Sequence, residues 1–125
     1  MSLASVAAVS GLYDLFVGAL LLLAADTLAS AFGVPPANPR IFSDLLGVFL
    51  VCVGAGYYFP WREPDTYRGY MWVMGPLLKG GGAATFLLDY FLRGSPSSFL
   101  LFAASDGSLA LLTLYALLRS DRSSK

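Results

Sequence analysis

The chain has 125 residues, enough for one domain, and is 57% hydrophobic but only 13% charged. Ordinary soluble domains carry about 25% charged residues, and a soluble domain this small cannot hide so much apolar surface. Eight basic residues balance eight acidic ones with no basic stripe, which excludes nucleic acid as a partner. With no histidine and Cys52 as the single cysteine, the composition excludes a histidine-built metal or haem site and an intrachain disulfide, and no cofactor is expected.

Crossing about 30 Å of hydrocarbon takes about 20 helical residues, and four segments qualify. The first, 4–25, reads ASVAAVSGLYDLFVGALLLLAA. No basic region precedes it, and its apolar run is too long for a signal-peptide core, so it is expected to stay as a membrane helix. Asp26 is then expected as the N-cap of a short interfacial helical turn, DTLASAF. The loop FGVPPANPR (32–40) follows, and its prolines disfavour helix.

The second segment, 42–60, reads FSDLLGVFLVCVGAGYYFP. Ser43 is placed to N-cap it, with Asp44 at the positive end of the helix dipole. Cys52 reads as a small buried hydrophobe. A polar, proline-rich loop (60–69) leads to the third segment, 70–92, which contains GPLLKGGGAATFLLDY. Pro76 removes a backbone donor and the glycines 80–82 weaken the helix, so a kink or partial unwinding beside Lys79 competes with a simple glycine packing face. The turn RGSPSS (93–98) precedes the fourth segment, 98–118, and the polar tail 119–125 is expected to fray.

These segments predict an all-α, polytopic membrane protein: a single four-transmembrane-helix bundle over 1–125. Four spans put both termini and the 60–69 loop on one side. That side carries Arg62, Arg68, Arg119, Arg122 and Lys125, against Arg40 and Arg93 on the other, which places both termini in the cytoplasm. Tyr57, Tyr58, Phe59, Trp61, Tyr67, Tyr70 and Trp72 flank the 60–69 loop and read as an interfacial aromatic belt. Leucine gains little by leaving lipid for a helix interface, so close packing rests on small residues. Gly11 and Gly18 stand seven apart, as do Gly47 and Gly54, which keeps each pair on one helix face. Gly80, Gly81 and Gly82 offer another small face, as do Ala103, Ala104, Gly107 and Ala110 on the fourth segment. Such a face also suits a homo-oligomer seam.

Five ionisable residues fall inside the spans: Asp14, Asp44, Lys79, Asp89 and Asp106. Each costs roughly 2.5–3.5 kcal/mol at a helix centre on insertion scales, so pairing or a wet cavity is expected. At 1.5 Å rise per residue, Asp14 lies about 15 Å from the cytoplasmic end, Lys79 about 14 Å and Asp106 about 18 Å. Asp44 and Asp89 lie about 24 Å and 29 Å in, near the opposite interface. Lys79 can therefore pair with Asp14 or Asp106, and the surplus carboxylate then carries a proton or binds a cation. Tyr13, Ser10, Ser105, Ser108 and Thr85 are placed to hydrogen-bond the cluster. Whether it is a ligand- or ion-binding site or a clasp that fixes helix register stays open at this level.

A first span running into FGVPPANPR, a second containing LLGVFLVCVGAGYY with its LG…G…G pattern, two further helices and a basic tail resemble the DoxX-like group of small bacterial four-helix membrane proteins. The resemblance implies a multi-pass protein of the bacterial inner membrane, joined to a larger membrane system. Members are often tied to redox systems, but this chain has no cysteine pair for thiol chemistry. Three functions are expected in order. The first is an accessory or binding subunit of a larger membrane-protein complex, or a lipid or small-ligand binder. The second is a small oligomeric proton- or ion-linked transporter using the midplane carboxylates. The third is a lipid-modifying enzyme, which lacks the commonest general base because histidine is absent. No catalytic residue and no metal ligand is assigned.

Overall fold

The computed structural model describes residues 2–123, with side chains through Ser120. Of the basic residues assigned to the cytoplasmic side, Lys125 lies outside the described residues and Arg122 outside the described side chains. The described residues form helices and connections, with no strand among them.

Helix α1 (Leu3–Leu23) starts at Ser2, whose Oγ accepts the Ser5 amide at 3.1 Å and so satisfies one of the amides a helix start leaves open. It passes into α2 (Ala25–Ala31) through a single non-helical residue, Ala24. The Ala24 amide still reaches Leu20 O, and its carbonyl already accepts the Leu28 amide. This continuity corrects the capping expectation: Asp26 lies in the first turn of α2 and pairs with Arg40 at 3.7 Å. The chain turns at Gly33, where a φ of +73° favours glycine.

Helix α3 (Ile41–Gly56) is preceded by Arg40, already in helical geometry, so Ser43 lies inside the first turn and does not cap it. Asp44 does occupy that first turn. Past Tyr57, α4 (Tyr58–Arg62) carries Pro60 in its opening turn, where a missing amide is tolerated. Then α5 (Arg68–Trp72), a π-helical segment (Val73–Lys79) and α6 (Gly80–Arg93) follow without a break, and left-handed Gly94 ends the run. A short 3-10 turn (Ser97–Phe99) leads into α7 (Leu100–Ser123).

Three helical stretches, Leu3–Leu23, Ile41–Arg62 and Ser97–Ser120, are long and apolar enough to cross a membrane. The predicted third span, 70–92, is not one α-helix. The π-helical segment divides it, and α6 alone has 14 residues, short of the about 20 that a span needs. Pro76 supplies the reason. It offers no amide to the carbonyl one turn earlier, and the wider winding re-routes the hydrogen bonds around it. The helix neither breaks nor unwinds at 80–82. In the other direction, α7 runs past 118 into the tail expected to fray. Arg68 donates to Ser120 Oγ at 2.9 Å and to Leu117 O at 3.1 Å, tying that end down.

The glycines bring α1 and α3 together as an antiparallel pair. A Cβ added at Gly11 would lie 3.0 Å from Gly54 O, and one at Gly54 would lie 2.8 Å from Gly11 O. Gly18 and Gly47 repeat the arrangement two turns away, at 2.9 Å and 3.1 Å. α1 also packs on α7, and α7 carries α6 and the π-helical segment on another face. α3 makes no extended contact with α6, the π-helical segment or α7. The order around the bundle is therefore α3, α1, α7, α6, and the ring stays open between α3 and α6.

The apolar core gathers toward the end holding the N-terminus: Leu3, Val6, Ala7, Val53, Tyr57, Met71, Ala116 and Leu117. Tyr57 is thus a core residue and not part of an interfacial belt. Tyr70 packs edge-on against it at 5.1 Å and donates its hydroxyl to Val53 O. Tyr58, Phe59, Trp61, Tyr67 and Trp72 do face outward. Cys52, read above as buried, is exposed, because the Gly47–Gly54 face of α3 is the one turned to α1. Large apolar side chains such as Leu12, Phe16, Phe42, Leu77, Phe91 and Leu111 cover the outside, a surface suited to hydrocarbon and not to water.

Candidate functional site

Lys79 closes the π-helical segment and points inward to α1. Its Nζ lies 2.7 Å from both carboxylate oxygens of Asp14. The two side chains are 3% and 2% exposed, so the pair is removed from solvent. A lone charge in such a place is very costly, and the equidistant contact neutralises both groups at once. The rings of Tyr13 and Tyr57 each lie 5.6 Å from Nζ and face it with π density. Ser10, one turn before Asp14, is fully buried; its hydroxyl and that of Tyr57 lack hydrogen-bond partners among the described residues.

Asp106 stands apart. It lies on α7, partly buried, and makes no ion pair among the described residues. The nearby Tyr13 hydroxyl sits 2.6 Å from Ser105 Oγ. Ser105 also reaches Leu101 O at 2.9 Å, and the Tyr13 hydroxyl lies beside the Asp106 carboxylate as well. Asp106, Asp14 and Lys79 share the wall of one cavity of about 250 Å³. The rest of that wall is apolar apart from Tyr13: Val17, Leu21 and Leu28, with Leu46, Phe49 and Leu50 from α3, and Leu78, Gly82, Phe86 and Phe102 from α6 and its neighbours. Phe86 and Phe102 stack at 5.3 Å.

The structure therefore brings Asp14, Lys79, Asp106 and Tyr13 together and sets Ser105 one hydrogen bond behind them. It separates the other carboxylates of the predicted spans from this group. Asp89 bonds Ser95 Oγ and pairs with Arg93 at 3.3 Å, and Asp44 stays in the first turn of α3. Thr85 bonds Gly81 O within its own helix at 2.8 Å, and Ser108 is exposed. Among the glycines, Gly11, Gly18, Gly47 and Gly54 line the α1–α3 contact. Gly80 and Gly81 do not: an added Cβ would meet only Ala110 at 3.8 Å from Gly80, and nothing within 4 Å from Gly81. Gly82 faces the cavity, where a Cβ would lie 3.3 Å from Asp106 Oδ2.

Sequence reasoning missed two features here. Tyr57 follows Gly54 by three residues and so shares its face, a signal that was available but outweighed by its place in an aromatic cluster. The apolar walls of the cavity carried no signal, because lipid-facing and cavity-facing leucines are the same in composition. No group of three or more metal-ligating side chains placed to hold a metal ion occurs among the described residues. Comparison with protein-family models, curated proteins and solved structures finds no match for this chain.

Proposed function

We propose that this chain is a four-span membrane protein that binds a small lipid-like molecule in the cavity beside the Lys79–Asp14 pair. The carrying observation is the cavity itself: about 250 Å³, apolar on most sides, with polar groups gathered at one. Small-molecule sites have this make-up, a mostly apolar wall and a few convergent polar groups. Arg68–Arg93 serves as the fourth span in this reading. Its helical winding is continuous, and its one deeply buried cation is neutralised by Asp14. Both termini then face the cytoplasm, and the protein sits in a bacterial inner membrane as a DoxX-like bundle serving a larger assembly.

Purification in mild detergent tests this. The expected result is about one small organic molecule per chain in wild-type protein and none in Gly82→Leu, whose side chain would fill the cavity. Equal recovery from both would sink the reading.

Asp106 favours a second reading, an oligomeric proton- or ion-linked transporter. Its carboxylate faces the cavity without an ion pair, as a carrier site requires. That reading expects a proton flux in liposomes that disappears in Asp106→Asn.

A further inference from the structure

The Lys79–Asp14 pair is electrically closed, and what it leaves behind selects the ligand. Asp106 brings a carboxylate to the cavity without an ion pair of its own, since Lys79 on the same wall is held by Asp14. The rings of Phe86 and Phe102, stacked on each other, line the same space and add apolar wall beside the carboxylate. A carboxylate or phosphate entering here would meet like charge, and a neutral molecule would bring Asp106 no charge partner.

The route in is also visible. α3 and α6 make no extended contact with each other. An outer groove runs between them and shares Phe49, Leu78 and Gly82 with the cavity wall. Beyond these residues the groove is apolar apart from Thr85, and Leu77 on its rim is 68% exposed. The opening therefore faces the surface that the membrane reading assigns to hydrocarbon.

Resting on the ligand-binding reading above, we infer that the cavity takes a single-chain organic ammonium, entering sideways from the bilayer between α3 and α6 with its cationic head on Asp106 and its tail along the groove. The cavity has room for roughly eight water-sized groups, which fits an ammonium with a short run of methylenes. A zwitterionic phospholipid head does not fit this chemistry, because its phosphate would follow the amine toward Asp106.

Isothermal titration of the purified full chain in mild detergent distinguishes the possibilities, with hexylammonium, hexanol and hexanoate as probes. Hexylammonium is expected to bind at least about tenfold more tightly than either of the others, the scale of one charge-assisted hydrogen bond. Asp106→Asn is expected to bring hexylammonium down to the level of hexanol. Gly82→Leu is expected to lose all binding, and Asp44→Asn to retain it. Thermal melting of each variant checks that it is folded. Equal affinity for hexylammonium and hexanol, an unaffected Asp106→Asn, or competition by sodium as strong as by hexylammonium would overturn the ammonium class. Hexanol binding that Gly82→Leu abolishes would then still uphold the cavity as a site. No binding of any probe to folded wild-type protein would remove both inferences together.

Discussion

The α1–α3 contact and the α6 arm are both rich in glycine, and the glycines do opposite things. On α1 and α3 each glycine meets the backbone of the other helix, with no room for a methyl group at Gly11, Gly18, Gly47 or Gly54. On α6 the glycines at 80 and 81 meet almost nothing, and Gly82 borders a cavity. Absence of a side chain permits close approach, but it takes a second backbone at the right height to use it. Where no backbone comes close to the glycine face of α6, the same residue type leaves space. The close contact joins two helices, and the open one leaves a cavity.

Lys79 and Asp14 join the two regions, so separating them carries the largest expected effect. Lys79→Met leaves a buried carboxylate unpaired and is expected to lose about 3–5 kcal/mol in a denaturation titration. Lys79→Met combined with Asp14→Leu is expected to recover most of that. A double variant no better than the single one would mean that the pair is not what joins α1 to the arm.

Gly54→Ala comes next, at about 1–3 kcal/mol, because its methyl would press on the Gly11 carbonyl and the Leu15 amide, neither of which can rotate away. Thermal melting of the detergent-solubilised protein reads this. A neutral result would show that α1 and α3 separate at little cost, erasing the contrast with α6.

Tyr13→Phe removes the hydroxyl that ties α1 to Ser105 on α7 beside the cavity. A loss of about 1 kcal/mol is expected in the same melting measurement. A loss several times larger would mean that the hydroxyl also holds Asp106 in place.

Gly81→Ala has the smallest expected effect and the opposite sign, a gain of about 0.5–1 kcal/mol from helix propensity with no steric penalty. Destabilisation there, seen as a lower melting midpoint, would mean that a second helix or a second copy of the chain covers α6 in the membrane.

Much of the fold was legible in the sequence. Three of the four apolar segments became helices long enough to cross a membrane, and the prolines at 35, 36 and 39 do stand in a non-helical stretch. The third segment was harder. Pro76 signalled a disturbance, but a sequence does not say whether a helix absorbs a missing amide by breaking or by widening one turn. Capping at Asp26 and Ser43 was misplaced because both helices begin earlier than their polar residues suggest: α2 resumes after the one non-helical residue Ala24, and α3 continues from Arg40, already in helical geometry. The depth estimate put Asp14, Lys79 and Asp106 at one level, and all three share a cavity wall.

Depth along a helix follows from the rise per residue, so the sequence by itself determined which charges lie level with one another and which glycines share a face. Azimuth and neighbour do not follow from rise. Only the tertiary structure decided that Lys79 meets Asp14 and not Asp106, that Tyr57 turns inward beside it, and that α3 stops short of α6. Those outcomes depend on how four separate helical segments rotate about their axes and lean on one another. That choice is made by contacts between residues as far apart as 14 and 79, and no local pattern in the chain encodes it.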